Sequence, residues 1–296
     1  MPPSQVIFEN LAASTHSMDV ISEDGRTAIV YRLEKGFVAK MPRDMQEGLP
    51  GREEFAAETD HAFSVEVRLF ERMGYHPRII PFVFTSTSTT HVSLYSRYHG
   101  RFTMDNMREG LLLGEANCGD LQSYIEKHNS KINIALRKQW SLQVAQAIAY
   151  VHEKGIIHSN LSTTNVLVHQ VAQTPDLFLA DFGGSRCVGL DLDGGLLPDD
   201  PFSDPCLTDH ESPKVDLFSL GIVIYVIMTG CYPFHSGPAP QNEERFAYGD
   251  RVRALFEQGQ FPNLADVPLG NIIAGCCCER RFETGQEVVR ALEAEP

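Results

Sequence analysis

IIHSNLSTTNVLV, residues 156–168, decides how this chain is read, together with Asp-Phe-Gly at 181–183, thirteen residues beyond Val168. Aliphatic runs enclose a loop of hydroxyls and amides, and short strands are expected at 165–169 and 177–180. Upstream, Trp140, Val144, Ala147 and Val151 recur at i, i+4, i+7 and i+11, and Gly155 closes the helix they define. Downstream, VDLFSLG at 215–221 opens an apolar helix whose run from Leu217 to Met228 is too short to span a bilayer. Further towards the N-terminus, LLLGEA at 111–116 predicts a short buried strand. Val65, Leu69, Phe70 and Met73 share one face of a helix over 62–73. TAIVYRLEKGFVAK at 27–40 predicts two strands joined by a Glu-Lys-Gly hairpin. Residues 1–18 are expected to form a loose extension, 41–61 a polar loop and 85–90 (TSTSTT) a surface loop. Strands first and helices afterwards predict an α+β chain with a small β-rich lobe, carrying one helix, and a larger helical lobe.

Composition narrows the classes. The 296 residues carry a net charge of −14, so neither nucleic acid nor an anionic membrane is an expected partner. The seven cysteines, including the run Cys276-Cys277-Cys278, lack metal-ligand spacing and are expected to be reduced thiols. MPPSQVIFEN lacks the basic-then-apolar pattern of a signal peptide, and an intracellular, cytoplasmic setting is expected.

The order and spacing of VAK (38–40), HSNLSTTN (158–165), DFG (181–183) and VDLFSLG (215–221) resemble the protein kinases, from about Ile21 to Leu292. The wording is similar to a divergent fungal-type group of kinase-like proteins. Any one motif is weak, since a lysine on a strand is usually a surface charge and Asp-Phe-Gly is a plausible turn. DFG sixteen residues after an N-L-x-x-x-N loop is specific. The resemblance implies a bilobal kinase fold, with an extension at 1–18, the N-lobe and hinge at 19–116 and the C-lobe at 117–296. It implies ATP and Mg²⁺, with Mn²⁺ as the alternative ion. Lys40 would bind the α/β-phosphates and pair with Glu66. Asp181 and Asn165 would hold Mg²⁺ through hard oxygen ligands. Val30, Ala39, Leu121 and Leu167 would enclose the adenine from above and below. Leu113 would guard the back of the pocket, and Gly114 to Ala116 would offer it backbone hydrogen bonds. Phe70, Phe82, Phe182 and His158, anchored by Asp216, match the stack that joins kinase lobes.

The departures fall on the chemistry. The family's H-R-D reads His158-Ser159-Asn160, and the aspartate that accepts the substrate hydroxyl's proton is replaced by the amide of Asn160. Ser159 replaces the arginine that receives an activation-loop phosphate in many kinases. Ser162 stands where Ser/Thr kinases carry a lysine toward the γ-phosphate. The glycine-rich loop falls on Glu23 to Val30 and retains only Gly25. Asp204-Pro205 stands in place of Ala-Pro-Glu, with Arg281 as the expected partner of Asp204. Two functions from different classes follow. One is a nucleotide-binding pseudokinase that acts as a scaffold or regulator on an unknown protein partner. The other is a slow phosphotransferase acting on protein Ser/Thr or Tyr hydroxyls. A small-molecule kinase fits less well, because the VDLFSLG helix and the helical tail belong to the protein-kinase branch.

Overall fold

The computed structural model describes residues 19–23, 25–34, 36–83, 101–102, 110–170 and 172–295. The extension expected at 1–18 and the tract at 85–90 lie outside them. The chain divides into two compact units: Met1–Glu71 with Ile80–Glu115, and Arg72–Ile79 with Ala116–Pro296.

The first unit is an antiparallel sheet and a helix. Strands β1 (Asp19–Ser22), β2 (Ala28–Glu34), β3 (Phe37–Pro42), β4 (Arg101–Phe102) and β5 (Gly110–Gly114) lie in the order β1-β2-β3-β5-β4. Register sets the faces. Val30 pairs with Lys40, Lys40 with Leu111, and Val38 with Leu113, so these five residues share one face. Ala39, Met41 and Leu112 form a buried cluster on the other face, with Tyr31, Leu33, Phe37 and Val83 packed against it. Ala39 therefore faces away from Lys40, contrary to its expected place beside the adenine. Side chains alternate along a strand, and Val38, two residues before the lysine, shares its face instead.

Helix α1 runs Arg52–Met73 and begins ten residues before the expected start at Ala62. Its first two turns carry Glu53, Glu54 and Glu58, which read as a polar loop in the sequence. Glu53 and Glu54 sit where the helix dipole favours negative charge, and Arg52 is held by Asp44 at 2.8 Å and by the Met45 carbonyl at 3.0 Å. The inward face, Val65, Leu69, Phe70 and Met73, is buried as the periodicity predicts.

The second unit is mainly helical: α2 (Leu121–His128), α3 (Ile134–Glu153), α4 (Lys214–Thr229), α5 (Asn242–Glu257), α6 (Gly270–Cys277) and α7 (Gly285–Glu293), with hairpins β6 (Val166–His169)–β7 (Asp176–Leu179) and β8 (Arg186–Cys187)–β9 (Leu192–Asp193). Trp140, Val144, Ala147 and Val151 form the buried face of α3, and Gly155 ends the helical segment at φ +73°, a conformation that favours glycine. Helix α4 is buried almost throughout, and no helix among the described residues is long and apolar enough to cross a membrane. All seven cysteines are free. Burial pushes the Cys276 thiol up to about 12 and raises Cys277 as well, so both are unreactive at neutral pH.

Asp204 has a different partner from the one expected. Arg280 grips it at 2.7 and 2.8 Å, while Arg281 turns to Asn271 and Glu279. Arg280 has φ +47° just beyond α6, and that reversal aims successive side chains in different directions. The carboxylate of Asp204 is 3% exposed. Arg280→Ala should therefore lower the urea stability by about 1–3 kcal/mol, because it strands a buried acceptor. Arg281→Ala should cost well under half of that, and equal losses would refute the pairing.

Candidate active site

In the first unit Lys40 and Glu66 form an ion pair of 2.7 Å, with side chains 12% and 1% exposed. Neither charge would tolerate this burial alone. The Phe63 ring, 5.8 Å from the Lys40 ammonium, adds a cation–π contact. The turn leading into β2 is tied down by cations. Arg26 bonds both oxygens of Glu58 at 2.7 and 3.0 Å, Arg43 donates to the Glu23 carbonyl, and the Arg43 N–H donates to Thr27 at 2.8 Å. A Cβ on Gly25 would stand 3.0 Å from the Ala28 carbonyl oxygen, so the tightness of this turn accounts for the glycine that remains. Leu113 is buried and Val30 is half-buried. Phe70 and Phe82 stack at 4.8 Å.

Two of the three expected hinge donors are already used. The Gly114 N–H donates to Pro81 at 2.7 Å and the Glu115 N–H to Gly36 at 2.9 Å. The Ala116 N–H, which belongs to the second unit, has no acceptor among the described residues.

In the second unit everything hangs from Asp216, which is fully buried at the start of α4. It accepts from the backbone N–H groups of His158 (2.7 Å) and Ser159 (2.8 Å) and from the His152 ring (2.9 Å). Ser159 sits at φ +62°, a conformation that costs a non-glycine residue free energy, and these bonds hold it there. The Ser185 hydroxyl donates to the His158 carbonyl at 2.9 Å. The His158 ring donates to the Ala180 carbonyl at 3.0 Å and meets Phe182 edge-on at 5.0 Å. Asp181 follows at φ +64°.

The loop's polar groups divide between structure and chemistry. Thr163, fully buried, donates to Gln122 at 2.9 Å, and Ser162 bonds Thr164 at 2.9 Å. The Asn165 amide nitrogen donates to the Asn160 carbonyl at 2.7 Å, and the Ala180 N–H donates to the Asn165 carbonyl at 2.9 Å. Because its nitrogen faces a carbonyl, the Asn165 side-chain oxygen is the atom left over, and it has no donor among the described residues. That oxygen and the Asp181 carboxylate are a donor set suited to Mg²⁺, which takes few protein ligands and completes its shell with water and phosphate. No group of three or more His, Cys, Asp or Glu forms a metal cluster among the described residues. The Asn160 backbone N–H donates to His158 Nδ1 at 3.3 Å, while its half-buried side chain has no hydrogen bond among the described residues; Leu167 is half-buried and Leu121 fully so.

Sequence reading missed His152 and Arg186. His152 lies on the face of α3 that meets α4, six residues before His158. Arg186 is joined to Ile157 by two 2.8 Å backbone bonds. Only the periodicity of α3 hinted at the first, and nothing local marked the second.

A family model described as the protein kinase domain matches residues 51–281, and the chain belongs to that family. The match takes in Glu66, Asn165, Asp181 and Asp216 and begins after Lys40. Among curated proteins the chain is 30% identical over 125 residues to the serine/threonine-protein kinase kin-29 of Caenorhabditis elegans, covering 40% of this chain and 15% of that protein. It is 30% identical over 159 residues to the serine/threonine-protein kinase SIK1 of Rattus norvegicus, with 49% and 19% covered. It is 26% identical over 216 residues to ribosomal protein S6 kinase 2 alpha of Gallus gallus, with 69% and 25% covered. The chain thus spans a quarter or less of each of these relatives.

Two titrations follow from the Asp216 network. Burial pushes its carboxyl up, but the hydrogen bond and charge of His152, with His158, outweigh that and leave it below the usual carboxylate range. Its stabilisation is present above the usual range and is lost as pH falls through the lower, folded value. Burial holds His158 below its ordinary 6.5, so the unfolded chain takes up a proton first and stability falls as pH drops below about 6.5. Asp216→Ala should cost roughly 1–3 kcal/mol in urea at pH 7 by orphaning buried donors. The parent should be less stable at pH 5 than at pH 7, and His158→Phe should shrink that difference. A His158→Phe variant with the parent's full pH dependence would rule out the buried neutral histidine.

Proposed function

We propose that this protein is a nucleotide-binding pseudokinase, a kinase fold that binds Mg-ATP and signals by conformation to a protein partner. The observation that carries the reading is a contrast. The Lys40–Glu66 pair is formed at 2.7 Å and the Asn165 oxygen is unspent, while the residue at the base position, Asn160, is an amide. Lys40 neutralises the α/β-phosphates, and Asp181 and Asn165 supply oxygens to Mg²⁺, which screens the phosphate charge when bound. Val30, Val38, Leu113 and Leu167 give the adenine apolar contact, and Ala116 gives it an N–H donor. Gly25 and its neighbours contribute little, since the turn is bound to Glu58 and Arg43. Asn160 accepts a hydrogen bond from a hydroxyl but cannot take its proton near neutral pH, and a missing general base costs about 10²–10⁴-fold. Ser162 removes a cation from the same place.

A second reading, a slow protein kinase for Ser/Thr or Tyr hydroxyls, is favoured by the intact Lys40–Glu66 pair and by the serine/threonine kinases among the relatives. Phosphoryl transfer depends mainly on positioning and electrostatics, so an amide that orients the hydroxyl leaves some rate.

Millimolar Mg-ATP should raise the melting temperature of the parent, and Lys40→Met should abolish most of that rise. No shift in the parent would sink nucleotide binding. The parent should show little or no autophosphorylation with Mg²⁺ or Mn²⁺. Asn160→Asp should raise transfer by about 10²-fold or more, and adding Ser162→Lys should raise it further, though not additively. Robust transfer by the parent that Asp181→Asn abolishes would overturn the pseudokinase reading in favour of the second.

A further inference from the structure

The segment that follows Asp-Phe-Gly is ordered by phosphorylation in many kinases, through new bonds between a phosphate and arginine. In this chain the receiving arginine is Ser159. From Arg186 to Phe202 the sequence, RCVGLDLDGGLLPDDPF, contains no serine, threonine or tyrosine. The two hydroxyls that flank it are Ser185, fully buried and bonded to His158, and Ser203.

What the segment has instead is carboxylate. Asp193 bonds the Arg186 guanidinium at 2.8 Å and accepts from the Gly195 N–H at 2.8 Å, so it fastens both ends of the β8–β9 hairpin. The other guanidinium arm of Arg186 reaches the His210 carbonyl at 3.0 Å, and its backbone is bridged to Ile157, next to the candidate catalytic loop. The Gly194 N–H donates to Ser185 at 2.9 Å, and no side chain fits at Gly194, which lies against Gly183 and Gly184. Further on, Asp199 pairs with Arg245, and Asp200, only 6% exposed, pairs with Arg253 at 2.5 Å. Both arginines belong to α5. Asp204 closes the segment on Arg280. Four aspartates thus meet four arginines within 12 residues of chain, two of them as buried carboxylates that are costly to strand.

We propose that these aspartates are a permanent substitute for the regulatory phosphate, with Asp193–Arg186 in its place, and that the segment holds its set position without phosphorylation. The conformation presented to a partner or substrate is therefore constitutive, and any switching must act elsewhere, through ligand or partner binding. This holds whether or not the protein transfers phosphate.

The test is hydrogen exchange on the full chain co-expressed with a phosphatase and shown by intact mass to carry no phosphate. The Arg186, Gly194 and Gly195 amides should exchange slowly, at rates unchanged between this material and protein from a eukaryotic host. Asp193→Ala should speed Gly194 and Gly195 by about fivefold or more, the scale of a partly exposed ion pair. The exchanged pair Arg186→Asp with Asp193→Arg should recover part of the protection. Exchange at the rate of an unstructured peptide in the unphosphorylated parent, or protection that appears only with a phosphate on the chain, overturns the proposal. So does an Asp193→Ala variant with parental rates. The parental arms decide the matter alone if the variants do not fold, and no arm requires nucleotide binding or activity.

Discussion

One buried carboxylate organises the second unit. Asp216 gives up its hydration at the start of a helix with almost no exposed surface, and three donors replace it. Two of these are consecutive backbone N–H groups, and consecutive N–H groups converge on one acceptor only when the chain turns sharply. Ser159 at φ +62° is that turn. The strained residue and the desolvated charge each offset the other's cost, and neither would persist alone. From this point His158 is fixed, through it Ala180 and Phe182, and through Ile157 the strand that begins at Arg186. The helix that looks like mere core in the sequence thus sets the backbone of the candidate catalytic loop.

Asn160 is nearly isosteric with aspartate and leaves the loop's backbone bonds untouched, since these use its carbonyl and N–H rather than its side chain. The metal-ligand candidate Asn165 is oriented by the Asn160 carbonyl, which an aspartate would also supply. The groups that shape this loop are thus backbone groups and Asp216, and the identity of the side chain at 160 is independent of them. In the next segment, Arg186 meets the carboxylate of Asp193 at 2.8 Å.

Negative charge is used in two ways. At the start of α1 it is spread over exposed glutamates that suit the helix dipole, and such residues look like loop when judged by polarity alone. In the segment Asp193–Asp204 it is concentrated on short side chains matched to long arginines, an arrangement suited to fastening irregular backbone.

The sequence by itself determined the family's element order, the helices with an apolar period, the hairpins and the residues at motif positions, because these depend on local periodicity and fixed spacing. It placed Lys40 with Glu66 and Asp216 with His158, which the structure brings together at hydrogen-bond distance. Strand alternation was also present in the letters, and it puts Val38 rather than Ala39 on the face of Lys40. Only the tertiary structure decided that Arg280 rather than Arg281 takes Asp204, that His152 is the third donor to Asp216, and that the Gly114 and Glu115 N–H groups are already engaged. The reason is the same in each case. A partner chosen across 33 to 79 residues depends on where the backbone turns, as at Arg280 with φ +47°, and no local pattern of side chains records that direction.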